Sequence, residues 1–164
     1  MRRGQAALEF LTTYGWAFLV ILIMIGALAY FGVLRPSRLL PDRCNFGPEM
    51  DCQDFQISNT PTTKLIKVKL KNNVGEAISI ADPNGLTVST ESATPLSCTG
   101  APVTSGVWAA GVIRDFTFSG CNSDEVGFIP GEKAKVSIKL RYFSIRSGSG
   151  YVHDVGGEIF ATVI

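Results

Sequence analysis

The chain has 164 residues, of which 46% are hydrophobic and 18% are charged, and its formal net charge is +1. This length allows one ordinary domain beside a short N-terminal segment, and this composition excludes a disordered chain. The nearly balanced charge also provides no overall electrostatic attraction to nucleic acid.

The N-terminal segment has the length and hydrophobicity of a membrane span. The 25 residues from Phe10 to Leu34 contain neither a charge nor a proline. As an α-helix they would be about 37 Å long, which exceeds the roughly 30 Å hydrocarbon core of a bilayer. Apolar residues run around all faces of this helix, as is typical of a helix surrounded by lipid or by other helices. The sequence predicts one continuous helix over residues 5–34.

Two general interpretations apply to this segment. A secretory signal peptide cut after Ala27-Leu28-Ala29 satisfies the small-residue rule, but Glu9 stands between the basic residues and the apolar stretch, where such signals carry no acid. A plain single-pass anchor explains the hydrophobicity and leaves Glu9 without a role. A carboxylate at the edge of a membrane segment is costly unless it has a partner.

A third interpretation comes from the residues around Glu9. The run from Arg2 to Phe10, RRGQAALEF, resembles the class III signal of archaeal type IV pilins, and the stretches Leu11–Ala17 and Ile25–Gly32 are also similar to that family. In the family, a prepilin peptidase on the cytoplasmic side cuts before a glutamine, and a glutamate is the fifth residue of the mature chain. The resemblance implies a leader of residues 1–4 and a cut between Gly4 and Gln5.

That cleavage would create a new amine at Gln5, and this amine is a natural counter-ion for Glu9 of a neighbouring subunit. Such a pair can set the axial register of packed helices. The resemblance further implies a homopolymeric helical filament with helix 5–34 in its core, assembled by a pilus platform and ATPase complex and serving adhesion. The subunit would lie in the cell membrane before assembly and in an extracellular surface filament afterwards.

The four cysteines all follow the membrane segment. They form no CxxC motif and the chain has one histidine, so a zinc site has little support. An even number of cysteines beyond an export signal favours two disulfides and an oxidising compartment. Three pairings are open, and we favour Cys44–Cys52 and Cys98–Cys121 because each closes a short local loop.

After the helix, Pro36 and a connector over residues 35–43 lead into a region of period-two alternation. The predicted strands are a run from Phe55 onward, one containing Ile66, Val68 and Leu70, then Ala77–Ile80, Leu86–Thr90, Val112–Ser119, one over 134–142, and Glu158–Ile164, which we expect to be central. We therefore predict the α+β class. The long N-terminal hydrophobic α-helix should be followed by an antiparallel β-sandwich head over residues 44–164, similar in architecture to pilins and archaellins.

The lysines are concentrated on two of these predicted strands or at their entrances. If the two strands are neighbours, they form a basic stripe that could meet anionic glycans, surfaces or DNA. The plainer interpretation is that these lysines protect the sheet edges from unwanted pairing. The residues of this candidate basic surface are Lys64, Lys67, Lys69, Lys71, Lys135, Lys139 and Arg141.

No catalytic motif is apparent, and we expect neither an enzyme nor a bound cofactor or metal. His153 has Asp154 beside it but no nucleophile motif, and we expect it to be exposed in a loop. Four acids near the first cysteine pair lack EF-hand spacing, so we favour a solvated acidic loop over a calcium site; they are Asp42, Glu49, Asp51 and Asp54. The competing function is a membrane-anchored or secreted β-sandwich module that binds cell-surface carbohydrate.

Overall fold

The chain consists of an apolar helix followed by antiparallel sheets, which is the α+β class expected from the sequence. The computed structural model describes residues 3–31, 40–81, 85–102 and 104–164. The chain divides into two compact units, one ending at Leu40 and the other spanning Pro41–Ile164.

Helix α1 spans Arg3–Tyr30, and its Leu8–Tyr30 stretch is long and apolar enough to cross a membrane. None of the described side chains of this stretch is buried. The helix is uninterrupted because it contains no proline. Residues 32–34, which we predicted as its end, and residues 35–39 of the connector lie outside the described residues.

Nine strands occur in the described part of the second unit. They are β1 (Arg43–Phe46), β2 (Met50–Asn59), β3 (Lys64–Asn72), β4 (Ile78–Ile80), β5 (Leu86–Ser89), β6 (Cys98–Gly100), β7 (Ile113–Cys121), β8 (Lys133–Ser144) and β9 (Val152–Thr162). The short strands β1 and β6 were not predicted, because, unlike the equally short β4 and β5, they have no alternating apolar residues after a turn signal.

The first sheet has the order β1-β9-β8-β4, and β5 also pairs with β8. Strands β8 and β9 form a long hairpin, in register from Lys133 opposite Thr162 to Phe143 opposite Val152. The predicted central position of the last strand is confirmed, since β9 lies between β1 and β8. It begins at Val152 rather than at Glu158 because its exposed first half also pairs with β8.

The second sheet has the order β2-β3-β7-β6. Strand β2 carries a β-bulge between Cys52 and Asp54, and strand β3 lies between β2 and β7. The bulge changes which face of the sheet the following residues occupy. As a result, the side chains of Asp54 and Gln56 share the outer face with the lysines of β3.

Residues from both sheets form one hydrophobic cluster. Ile66, Val68 and Leu70 of β3 and alternate residues of β8 are buried, which is the alternation predicted from the sequence. Trp108 is fully buried, pairs with the backbone of Ile78 and donates its indole N–H to the Val112 carbonyl at 2.8 Å. The second unit thus has its own core.

Candidate assembly segment and head surfaces

Glu9 lies near the N-terminal end of α1 and is exposed to solvent. It is the one charged side chain of the Leu8–Tyr30 stretch. Within the described part of the chain, no ion pair involves its carboxylate. An ionised acid in this position is costly once water is removed, unless a cation pairs with it.

The two threonines after Glu9 satisfy their own hydroxyl groups within the helix. Thr12 donates to the carbonyls of Leu8 at 3.0 Å and of Glu9 at 3.1 Å, and Thr13 donates to the Glu9 carbonyl at 2.8 Å. These hydroxyls can therefore enter an apolar environment at little cost. The carboxylate of Glu9 is the charged group of this segment that remains to be accommodated.

Gly4 and Gln5 lie in the first turn of α1, on the same helix as Glu9. The structure describes the helical backbone at these two positions but not the contacts of the Gln5 side chain. Cleavage between them and the assembly role of Gln5 and Glu9 remain predictions.

The large apolar side chains of α1 are exposed around the helix. Lipid or other helices could remove these side chains from water. The more exposed of these side chains are Leu8, Phe10, Trp16, Phe18, Ile23, Met24 and Tyr30.

Both predicted disulfides are present. Cys44 pairs with Cys52, and Cys98 pairs with Cys121. The first bond joins β1 of one sheet to β2 of the other sheet, and the second joins the neighbouring strands β6 and β7.

The condition for a single basic stripe is not met, because the two lysine-bearing strands are not neighbours. Strand β3 belongs to the four-stranded sheet, whereas β8 belongs to the other sheet. Lys64, Lys67, Lys69 and Lys71 therefore lie on one sheet, and Lys135, Lys139 and Arg141 lie on the other.

Acidic partners also neutralise much of this positive charge. The Lys64 ammonium hydrogen-bonds Asp124 and lowers the pKa of that carboxyl. Hydrogen bonds to Glu91 and Glu158 raise the pKa of Lys135. These partners come from distant parts of the chain, so sequence spacing gave no sign of them.

Asp42 is bound into the head rather than free in an acidic loop. Its carboxylate accepts hydrogen bonds from Lys133, from the Thr162 backbone N–H at 3.1 Å and from the Thr162 hydroxyl at 3.3 Å. The hydrogen bond from Lys133 is the main cause of the lowered pKa of Asp42. Asp42 is exposed and precedes the first strand, as the prediction of a solvated loop has it, but its carboxylate also has partners that are remote in sequence.

Among the described residues, no group of three or more histidines, cysteines or acids is arranged to hold a metal ion. His153 is exposed, as predicted, but it lies in strand β9 rather than in a loop. Its ring stacks on that of Tyr142, with 5.4 Å between the ring centroids. Burial is the main cause of the raised pKa of Tyr142, and the charges of Glu49 and Glu76 add to it.

Comparisons of the chain with protein-family models, with curated proteins and with solved structures found no match.

Proposed function

We propose that the chain is a structural subunit of an archaeal type IV pilus-like surface filament. A prepilin peptidase cuts it between Gly4 and Gln5 while α1 lies in the membrane. The assembly platform and ATPase complex then extract the subunit, and its helix packs among the helices of other copies. The head, a β-sandwich like those of pilins and archaellins, faces the surroundings and serves adhesion.

The observation that carries this proposal is Glu9, the single charge of the apolar stretch Leu8–Tyr30, whose described side chains are not buried. Lipid can cover the apolar side chains before assembly, but the hydrocarbon of a bilayer offers the carboxylate no cation. Cleavage creates an amine at Gln5, and a neighbouring copy can present that amine to Glu9. The hydrophobic core shared by the two sheets supports the sandwich arrangement of the head.

The N-terminus of the mature protein tests the processing step. Mass spectrometry of the protein from cells that produce it should find Gln5 as the first residue. A start at Tyr30 would instead indicate a secreted module, and an intact Met1 would indicate a membrane-anchored one. For either module, cell-surface carbohydrate is the expected ligand. Either of these results contradicts the filament proposal.

A pair of variants tests the assembly step. Glu9→Gln keeps the shape of the side chain but removes its charge, so cleaved subunits should accumulate in the membrane without forming filaments. Thr12→Val is the matched control, because the Thr12 hydroxyl bonds only to the helix backbone. Electron microscopy should find filaments for the control alone, and normal filaments of Glu9→Gln would exclude the register role.

A further inference from the structure

The four-stranded sheet carries an open groove across β2, β3 and β7, which is lined by polar side chains together with Phe55, Val68 and Phe116. Its walls are formed by outward-facing polar side chains from all three strands. These are Asp54, Gln56, Lys67, Lys69, Asp115 and Thr117.

The strand register arranges these side chains in two parallel rows. Asp54, Lys69 and Asp115 are opposite one another across the three strands. Gln56, Lys67 and Thr117 form the next row in the same way. Because neighbouring strands are about 4.8 Å apart, each row presents three hydrogen-bonding groups over roughly 10 Å.

The ion pairs of the first row are longer than the other ion pairs of the described head. The Lys69 ammonium is 3.8 Å from the Asp54 carboxylate and 3.9 Å from the Asp115 carboxylate, both beyond hydrogen-bond distance. In the other described ion pairs the nitrogen and oxygen approach to 3.1 Å or closer. The three groups of this row therefore retain hydrogen-bonding capacity for a ligand.

Local structure holds Asp54 in this open arrangement. One carboxylate oxygen accepts the backbone N–H of Phe55 at 2.9 Å, while the other is the atom nearest to Lys69. The bulge at Cys52/Asp54 sets the register that brings Asp54 opposite Lys69. Bulges commonly re-aim a side chain in this way next to binding sites.

We propose that this groove binds a neutral glycan. Two carboxylates can accept hydrogen bonds from sugar hydroxyls, while the two ammonium groups and the Gln56 amide can donate to them. The charges of Asp54, Asp115, Lys67 and Lys69 balance, so the groove suits an uncharged polyhydroxylated ligand rather than a polyanion. Sugar binding stands by itself, whereas its use in adhesion rests on the proposed filament function.

Titration calorimetry of the full-length protein in detergent tests this proposal, with cellotetraose, mannotetraose and chitotetraose as probes. At least one should bind with a Kd of about 1 mM or tighter. The double variant Asp54→Ala/Asp115→Ala should weaken binding by about tenfold or more. Asp154→Ala should leave it unchanged; Asp154 is a matched exposed acid that pairs with Arg141 on the other sheet.

Three results would overturn the proposal: no binding of any probe, unchanged binding by the double variant, or equal weakening by Asp154→Ala. Thermal unfolding of each variant verifies that the head remains folded, which we expect because both mutated side chains are 69% exposed. Filament formation is scored separately by electron microscopy. Failure of the wild-type chain to assemble would contradict the filament function and leave the sugar titration as an independent result.

Discussion

Cys44 and Cys52 connect an edge strand of one sheet to an edge strand of the other. The strand that carries Cys44, β1, has four residues and pairs only with β9 in the described sheet. It is also the first strand after the helix and connector. The disulfide thus fastens the beginning of the head to both sheets.

Removal of this bond should free β1 locally. In Cys44→Ser/Cys52→Ser, we expect hydrogen exchange to lose protection at Arg43–Phe46 before the other strands do. Cys98→Ser/Cys121→Ser is the control, because that bond closes a longer loop within one sheet. The chain-entropy relation gives about 2.5 kcal/mol for the first loop and about 3.4 kcal/mol for the second. Retained protection of β1 in the first variant would exclude this fastening role.

Two adjacent glycines of β9 should respond differently to alanine. A Cβ at Gly157 would lie 2.3 Å from the Phe46 ring, whereas a Cβ at Gly156 would have nothing within 4 Å. Gly157→Ala should therefore destabilise the head by about 1–3 kcal/mol, and Gly156→Ala should be nearly neutral. Thermal unfolding measures both, and equal melting temperatures would contradict the Phe46 contact.

Asp42 should contribute to stability in a pH-dependent way. Its pKa is lowered in the folded state, so its contribution is present above the ordinary value of 3.8 and is lost as the pH falls through the folded-state pKa. Because the Asp42 side chain is 44% exposed, we expect Asp42→Asn to cost only about 1 kcal/mol at neutral pH.

Urea unfolding at neutral and at strongly acidic pH measures this effect, and the difference from wild type should vanish in acid. Asp51→Asn is the control, because Asp51 is exposed and its side chain accepts from neighbouring Gln53. A pH-independent loss in Asp42→Asn would show that the ion pair with Lys133 is not its cause.

Tyr142 should make the head sensitive to alkali. Its raised pKa means that the folded state favours the neutral phenol, so this stability is complete below the ordinary value of 10.0 and declines as the pH rises above it. Tyr142→Phe should weaken this decline in unfolding experiments between neutral and alkaline pH. Tyr151→Phe, at an exposed position, should retain it. Identical alkaline profiles for the two variants would refute the prediction.

The strands were predictable where one face is buried along their whole length. In β3 and β8 the alternation of apolar and charged residues follows directly from burial of one face. The disulfide pairs were also predictable, since short loops favour local pairing. Strand β1 and the first half of β9 could not be predicted in this way. Their position depends on pairing with remote strands rather than on their own pattern of residues.

The sequence by itself determined the apolar helix with its single acid and the antiparallel character of the head, and it favoured the cysteine pairing that the structure contains. These properties follow from local patterns and short chain separations. Only the tertiary structure decided that the lysines are divided between two sheets, that Asp42 meets Lys133 and Thr162, and that Asp54 and Asp115 flank Lys69. Those relationships depend on sheet order and register, which bring together residues that the chain separates by between 15 and 120 positions.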